Sequence, residues 1–460
     1  MERMLLQPAR LSGRVTVPPS KSIAHRAVLC AALAGEGTSL LRNIALSDDI
    51  AATIRGATAL GARFEQRKDG WQVSGADRIS RENRLGCPKD CPTQEREPVL
   101  IDCNESGSTL RFLVPIALAL GRPARFVGRG NLGRRPLDAY YNIMKEQGIA
   151  YRAKEQELDL TVCGRLKPGR FVLPGNVSSQ YITGLLMALP LLGEASEIVA
   201  EGPLESQGYL DLTIETMRAF GVEATRSGQV FSVPAGAYRP CEYTVEGDYS
   251  QAAFFLVAGA VAGVCYPRKE TSNPIPDGGL LHVAGLSRRS SQGDRAVCDI
   301  LEQMGATVSF DGDGAAYCTA SHLHGCEIDA SQCPDIIPVL AAAACVCEGE
   351  TRIVNAGRLR IKECDRLHAV AAELGKLGAH VEEGETTLTI RGHCPPDGGP
   401  ALPGGGEVWS HADHRMAMTL AVLAAACEKP FVLREPDCVS KSYPNFFDHY
   451  RNLGGMIHEL

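Results

Sequence analysis

Lysine and arginine recur beside small, turn-forming residues at six places along this 460-residue chain. Ser20-Lys21-Ser22 is followed by Arg26, one helical turn beyond Ser22 and on the same face. Ser106-Gly107-Ser108 is followed by Arg111, and after it comes Arg134-Arg135-Pro136. Further on come Arg360-Ile361-Lys362-Glu363-Cys364-Asp365-Arg366, Asp413-His414-Arg415 and Ser440-Lys441-Ser442. Guanidinium and ammonium groups beside flexible turns suit phosphate and carboxylate. Taken singly, each is a solvated surface charge. The balance of the whole chain sharpens the reading, because 47 basic residues face 54 acidic ones for a net charge of -7. An acidic protein that gathers its cations locally handles a small phosphorylated or carboxylated molecule, not a polyanion or an anionic membrane.

The elements that position these clusters repeat. Leu60-Gly61-Ala62, Gln147-Gly148-Ile149, Phe220-Gly221-Val222, Met304-Gly305-Ala306, Leu377-Gly378-Ala379 and Leu453-Gly454-Gly455 each close a helix-like stretch. Glycine suits that stop because the left-handed C-cap is strained for a residue with a Cβ. The six glycines recur every 73 to 87 residues, which indicates one α/β unit used six times. The first five are followed by a β-like segment, and the sixth lies near the chain end. Upstream of each, a small polar or charged cluster opens an Ala/Leu-rich helix that is apolar nearly all round and so must be interior. The openings are Ser20-Lys21-Ser22, with Lys21 just before the helix, Ser106-Gly107-Ser108, Ser178-Ser179-Gln180, Asp248-Tyr249-Ser250, Pro334-Asp335 and Asp413-His414-Arg415. Asp335, ahead of the apolar run Val339–Ala344, is expected to cap its helix. Helix N-termini present free N–H groups and a positive dipole end, so several aimed at one place would hold a multiply charged anion.

Composition is that of an ordinary globular protein, with 44% hydrophobic and 22% charged residues. The longest mostly apolar run, Ala252 to Tyr266, is too short to span a bilayer, and the N-terminus carries no secretory pattern. The 17 cysteines are odd in number and scattered through apolar segments, which points to reduced thiols in a cytoplasmic protein. Arg81 to Pro98, which contains Cys87 and Cys91, and Tyr266 to Gly279 fall outside the repeat and read as loop insertions. Cys318, His322, His324 and Cys326 do not match a standard zinc spacing, so no metal site is assigned.

In order along the chain, Pro19-Ser20-Lys21-Ser22, Ser106-Gly107-Ser108, Arg135-Pro136, Val177-Ser178-Ser179-Gln180, Glu246-Gly247-Asp248, Pro334-Asp335, Lys362-Glu363-Cys364-Asp365-Arg366, Asp413-His414-Arg415-Met416-Ala417-Met418 and Lys441 resemble the motifs of the 5-enolpyruvylshikimate-3-phosphate synthase (3-phosphoshikimate 1-carboxyvinyltransferase) family of enolpyruvyl transferases. The resemblance implies an α/β fold of two similar domains, each of three repeated units, an inside-out α/β barrel with buried helices and the active site in the interdomain cleft. One domain would comprise residues 1–20 and 246–460, the other residues 21–245. It further implies transfer of the enolpyruvyl group of phosphoenolpyruvate to the 5-hydroxyl of shikimate 3-phosphate, with release of phosphate, in aromatic amino acid biosynthesis.

By the same resemblance, shikimate 3-phosphate would be bound by Lys21, Ser22, Arg26, Ser178, Ser179, Gln180, Ser206, Asp335 and Lys362. Phosphoenolpyruvate would be held by Lys21, Gly107, Arg135, Gln180, Arg366, Arg415 and Lys441. Asp335, Glu363 and Lys21 would be the catalytic groups. No cofactor, metal, nucleic acid or membrane is implied, and the protein would be a monomer. Glu105 and Arg358 depart from the family pattern, which carries Asn at both places. The related enolpyruvyl transferase acting on UDP-N-acetylglucosamine carries a reactive Cys before its Arg-Pro pair, whereas Gly128 to Pro136 here has none. A nucleic-acid enzyme resembling RNA 3′-phosphate cyclase is disfavoured by the acidic balance.

Overall fold

The computed structural model describes residues 2–75, 97–154, 157–266 and 280–460. The chain divides into two compact units. A continuous unit spans Lys21–Val245, and a discontinuous one joins Met1–Ser20 to Glu246–Leu460. The continuous unit carries helices α1 (Lys21–Leu33), α2 (Asp48–Ala59), α3 (Gly107–Ala119), α4 (Asp138–Gln147), α5 (Ser179–Ala188) and α6 (Gln207–Ala219). The discontinuous unit carries α7 (Tyr249–Cys265), α8 (Ala296–Gln303), α9 (Ile337–Ala344), α10 (Arg366–Lys376), α11 (His414–Leu423) and α12 (Phe446–Asn452).

Odd and even helices differ as their sequences dictate. All residues of α9 and α11 are buried, and α7 leaves only Gly263 outside the buried set. Such helices have no polar face and must run through the interior. Even helices bury one stripe, as α8 does with Val297, Cys298 and Leu301. Close approach between two inner helices is set at Gly184 of α5, where a Cβ would lie 2.3 Å from the Arg111 carbonyl oxygen. Each even helix ends at its glycine, with φ from +68° at Gly148 to +113° at Gly61. A strand follows every one, including Met456–Glu459 after Gly454.

All six repeats build a four-stranded sheet with one wiring: a parallel pair extended by two antiparallel strands. Two features close the set. The sixth sheet takes its fourth strand from the opposite end of the sequence, as Arg3–Gln7 pairs with Phe431–Arg434 and Met456–Glu459. At the crossovers, Gly13–Thr16 pairs with Leu281–Ala284, while Glu242–Thr244 pairs with Thr38–Arg42. Each unit has one continuous apolar core between its inner helices and its sheets.

Among the described residues no helix is long and apolar enough to cross a membrane, and the cysteines are free thiols. Residues 81–96, with Cys87 and Cys91, and residues 267–279 lie outside the described residues, so the loop insertions expected there are not addressed.

Candidate active site

In the continuous unit, the polar side chains cluster where inner helices begin. Lys21 is the first residue of α1, not the residue before it, and its ammonium pairs with Asp49 at the start of α2 at 2.8 Å. The Asp49 carbonyl accepts from the hydroxyls of Thr53 and Thr109. The Thr109 hydroxyl also lies in hydrogen-bond contact, at 2.7 Å, with the Oγ of Ser106, which caps α3. One hydrogen-bonded path therefore ties the starts of α1, α2 and α3. Gly107 opens α3, and a Cβ there would lie 2.7 Å from a guanidinium nitrogen of Arg135 and 2.9 Å from one of Arg111. Two guanidinium groups thus crowd that helix end, and any side chain there would displace them. Arg111 donates to Gln180 Oε1 at 3.0 Å, and Gln180 Nε2 donates to Ser108 at 3.0 Å. Ser178 caps α5, so Ser179 and Gln180 stand in its first turn. Ser206 takes a left-handed conformation (φ +54°) at the start of α6 and is buried.

Arg26 is buried in the same unit. It donates to the Ser22 carbonyl at 2.6 Å, to Thr213 at 2.8 Å and to the Tyr209 carbonyl at 2.9 Å. Burial lowers it to about 10. These partners are neutral oxygens, so the positive charge is held in place without being cancelled.

In the discontinuous unit, the centre is Asp335. Lys362 and Arg366 each donate to one of its oxygens at 3.0 Å, and Arg415 reaches the other at 3.0 Å. A second Arg415 nitrogen donates to the Asp335 backbone carbonyl at 3.0 Å. Arg366 is 1% exposed and also engages Asp413 twice, at 2.7 and 3.3 Å, and Glu363 at 2.6 Å. Asp413 in turn caps α11 by accepting from the Arg415 backbone N–H. Lys441, at the end of a 3₁₀ turn, donates to the Ala412 carbonyl at 2.7 Å.

Burial pushes the Asp335 carboxyl up, but Arg415, Lys362 and Arg366 outweigh it and hold it well below the usual carboxylate range. Burial lowers Lys362 to about 8, against the pull of Asp335 and with a push from Arg358 and Arg366. A lysine there exchanges its proton near neutral pH, and beside an ionised carboxylate it suits general acid–base chemistry.

The expectation that Asp335 caps α9 is corrected by the structure. The cap position falls one residue later, on Ile336, which makes no side-chain cap bond. The Asp335 carboxylate is turned to three cations instead. Within the discontinuous unit, Asp335, Lys362, Glu363, Arg366 and Arg415 form one network, with Lys441 anchored to the loop that enters α11. Within the continuous unit, Lys21, Gly107 and Gln180 belong to the helix starts described above, together with Ser178 and Ser179. Arg26 and Ser22 meet along α1, and Ser206 immediately precedes α6.

Asp49, Asp413 and Arg111 hold site residues in place without a role implied by the sequence motifs. Their signals were a Ser-Asp-Asp opening on α2, a cap before α11 and the i+4 offset of Arg111 from Gly107. Glu105 packs against Gly130, with a carboxylate oxygen 2.8 Å from where a Cβ would sit. In the Cys318 to Cys326 stretch, Cys318 is buried on a strand while His322 pairs with Glu348 at 2.8 Å.

A sequence model of the EPSP synthase (3-phosphoshikimate 1-carboxyvinyltransferase) family matches residues 5–450. The 3-phosphoshikimate 1-carboxyvinyltransferase of Clostridioides difficile is 49% identical over 465 residues, covering 100% of this chain and 99% of the relative. That of Clostridium beijerinckii is 47% identical over 462 residues, with the same coverage. Among solved structures, EPSP synthase from Acinetobacter baumannii aligns with a TM-score of 0.77 at 24% identity, covering 100% of this chain and 99% of the other. The enolpyruvyl transferase NikO from Streptomyces tendae aligns with a TM-score of 0.71 at 18% identity, covering 99% and 98%. Those two likenesses carry the fold, the repeated α/β architecture with buried helices. The family match and the relatives run through every cluster described above, and on that evidence the chain belongs to the EPSP synthase family of 3-phosphoshikimate 1-carboxyvinyltransferases.

Proposed function

We propose that this chain transfers the enolpyruvyl group of phosphoenolpyruvate to the 5-hydroxyl of shikimate 3-phosphate through the residues described above. The site reading rests chiefly on one observation: an ionised Asp335 held at 3.0 Å by each of Lys362, Arg366 and Arg415. Lys21, Ser22, Arg26, Ser178, Ser179, Gln180 and Ser206 bind shikimate 3-phosphate, whose anionic groups meet helix N-termini and cations. Lys21, Gly107, Arg135, Gln180, Arg366, Arg415 and Lys441 bind phosphoenolpyruvate. A dense cationic lining offsets the repulsion between two anionic substrates.

The reaction is an addition followed by an elimination. Asp335, oriented by Lys362, takes the proton of the 5-hydroxyl as its oxygen bonds to C2 of phosphoenolpyruvate, and the methylene carbon C3 gains a proton from Lys21. In the second step the new methyl group gives up a proton to Glu363, the C2–O bond to phosphate breaks, and the enol ether remains. Glu363 is held for this step by Arg366 at 2.6 Å. No step calls for a metal or an organic cofactor. In this reading the protein is a cytoplasmic monomer, and free cysteines suit a reducing compartment. Phosphate release measured with each substrate alone and with both together tests the proposal. Release only with both, unaffected by EDTA, is expected; no release with both would overturn it.

A further inference from the structure

Helix α10 grips one loop at two points. At its start, Arg366 holds the Asp413 carboxylate. Two turns later, roughly 10 Å along the axis, Glu373 reaches back to the same loop. Glu373 is 1% exposed, yet its carboxylate is fully engaged. One oxygen meets His411 Nε2 at 2.7 Å, the other accepts the Trp409 backbone N–H at 2.9 Å, and Lys376 lies 2.9 Å from both. Burial would raise this carboxyl, but His411, Lys376 and the Trp409 N–H outweigh it and keep it below the usual range.

The gripped segment is strained. His411 and Ala412 are consecutive non-glycine residues in the left-handed region, with φ of +54° and +53°. Such conformations persist where surrounding contacts over-determine them. Here the His411 ring stacks on Trp409 with centroids 4.2 Å apart, and the Ala412 N–H donates to Ser410 Oγ at 3.2 Å. This geometry turns the Ala412 carbonyl onto the Lys441 ammonium and delivers Asp413 and Arg415 to the start of α11.

We propose that Glu373 is a positioning residue: by clamping Trp409 and His411 it maintains the left-handed pair that sets Lys441 and Arg415. The proposal rests on the reading of those two cations as phosphoenolpyruvate ligands. Glu373 itself touches no substrate in it. Loss of the clamp lets the pair relax, the Ala412 carbonyl turns away, and Lys441 loses its anchor.

Steady-state kinetics of the full chain with both substrates, alongside melting temperatures, provide the test. Glu373→Ala should raise the KM for phosphoenolpyruvate by ~10-fold and leave the KM for shikimate 3-phosphate within about twofold. Glu373→Gln should recover most of that loss, because an amide still accepts the Trp409 N–H and can bond His411. Should Glu373→Ala fail to fold, Ala412→Gly carries the test. Glycine occupies positive φ without strain, so melting is retained while the fixed conformation is lost and the KM for phosphoenolpyruvate rises severalfold. Lys441→Met separates the two readings. If it raises that KM while the Glu373 and Ala412 variants do not, the clamp is refuted. If Lys441→Met itself leaves the KM unchanged, the assignment of Lys441 as a ligand fails, and the clamp proposal fails with it.

Discussion

The two units place cations by opposite means. In the continuous unit, Arg26 and Arg111 donate to hydroxyl, carbonyl and amide oxygens, and Lys21 with Asp49 is the ion pair at the helix starts. In the discontinuous unit, Lys362, Arg366 and Arg415 each lie on a carboxylate, drawn from Asp335, Glu363 and Asp413. Neutral partners orient a guanidinium and leave its charge available to an anion. Carboxylate partners cancel much of it but supply bases. On the proposed reading, the first arrangement binds phosphate and carboxylate, with Lys21 also a proton donor, and the second supplies the bases while Arg366 and Arg415 hold phosphoenolpyruvate.

The comparison breaks most visibly at Asp335. Asp335→Asn should lower kcat by ~10² to 10⁴-fold, the usual worth of a positioned general base. It should also destabilise the empty protein, because Lys362, Arg366 and Arg415 then converge on a neutral amide. Removing one partner of a buried charge group costs about 3 kcal/mol or more. A cap role alone would have left stability nearly unchanged, since Asn caps as well as Asp. Added phosphate should recover part of the melting temperature. Normal turnover with normal melting would reject both parts.

The matching change in the continuous unit is Gly107→Ala. The new Cβ would meet Arg135 at 2.7 Å and Arg111 at 2.9 Å, so both guanidinium groups must shift. The KM for phosphoenolpyruvate should rise by ~10 to 100-fold, with a smaller effect on shikimate 3-phosphate. Equal rises for both substrates would show that the crowding at this helix start is not specific to one ligand.

How much of this was readable beforehand differs between the units for the same physical reason. Helix starts leave local signatures, so Ser106-Gly107-Ser108 and Ser178-Ser179-Gln180 announce the caps that Ser106 and Ser178 make. The six closing glycines announced the repeat. Ion networks leave none, because their partners are far apart in sequence. Asp335 is 27 residues from Lys362 and 80 from Arg415, so its local sequence points only to a helix cap. The N-terminal strand that completes the sixth sheet was likewise hidden, since Arg3–Gln7 pairs more than 400 residues away.

A third difference is pH dependence. Lys362, lowered to about 8 by burial, loses its charge as pH rises through that value in the free protein. If the ammonium binds substrate, kcat/KM for shikimate 3-phosphate should fall above pH 8, by at most ~10-fold per pH unit. Lys362→Arg stays charged and should lose that limb. Stability responds in the opposite sense. The unfolded lysine titrates near ~10.4, so between about 8 and 10 the unfolded chain binds more protons, and this group adds stability as pH rises through that window. Identical pH profiles for wild type and variant would remove Lys362 from the binding step.

The smallest expected effects compare the two units at the feature they share, the glycine that ends each outer helix. Gly148 in the continuous unit has φ +68° and no neighbour within 4 Å of an added Cβ, so only backbone conformation is at stake. Gly148→Ala should cost about 1 kcal/mol, and Gly148→Asn less, because Asn visits the left-handed region more readily. Gly378 in the discontinuous unit has φ +96°, but a Cβ there would sit 2.6 Å from the Pro403 ring. Asn brings the same Cβ, so at this position it should rescue little. Melting midpoints of the four variants decide the matter, with activity expected to stay near wild type. A rescue by Asn at 148 and not at 378 would show that one sequence signal serves two purposes, a bare backbone requirement in one unit and a packing requirement in the other. Equal rescue at both sites would mean that the Pro403 ring yields and that the glycines differ only in their letters' surroundings, not in their work.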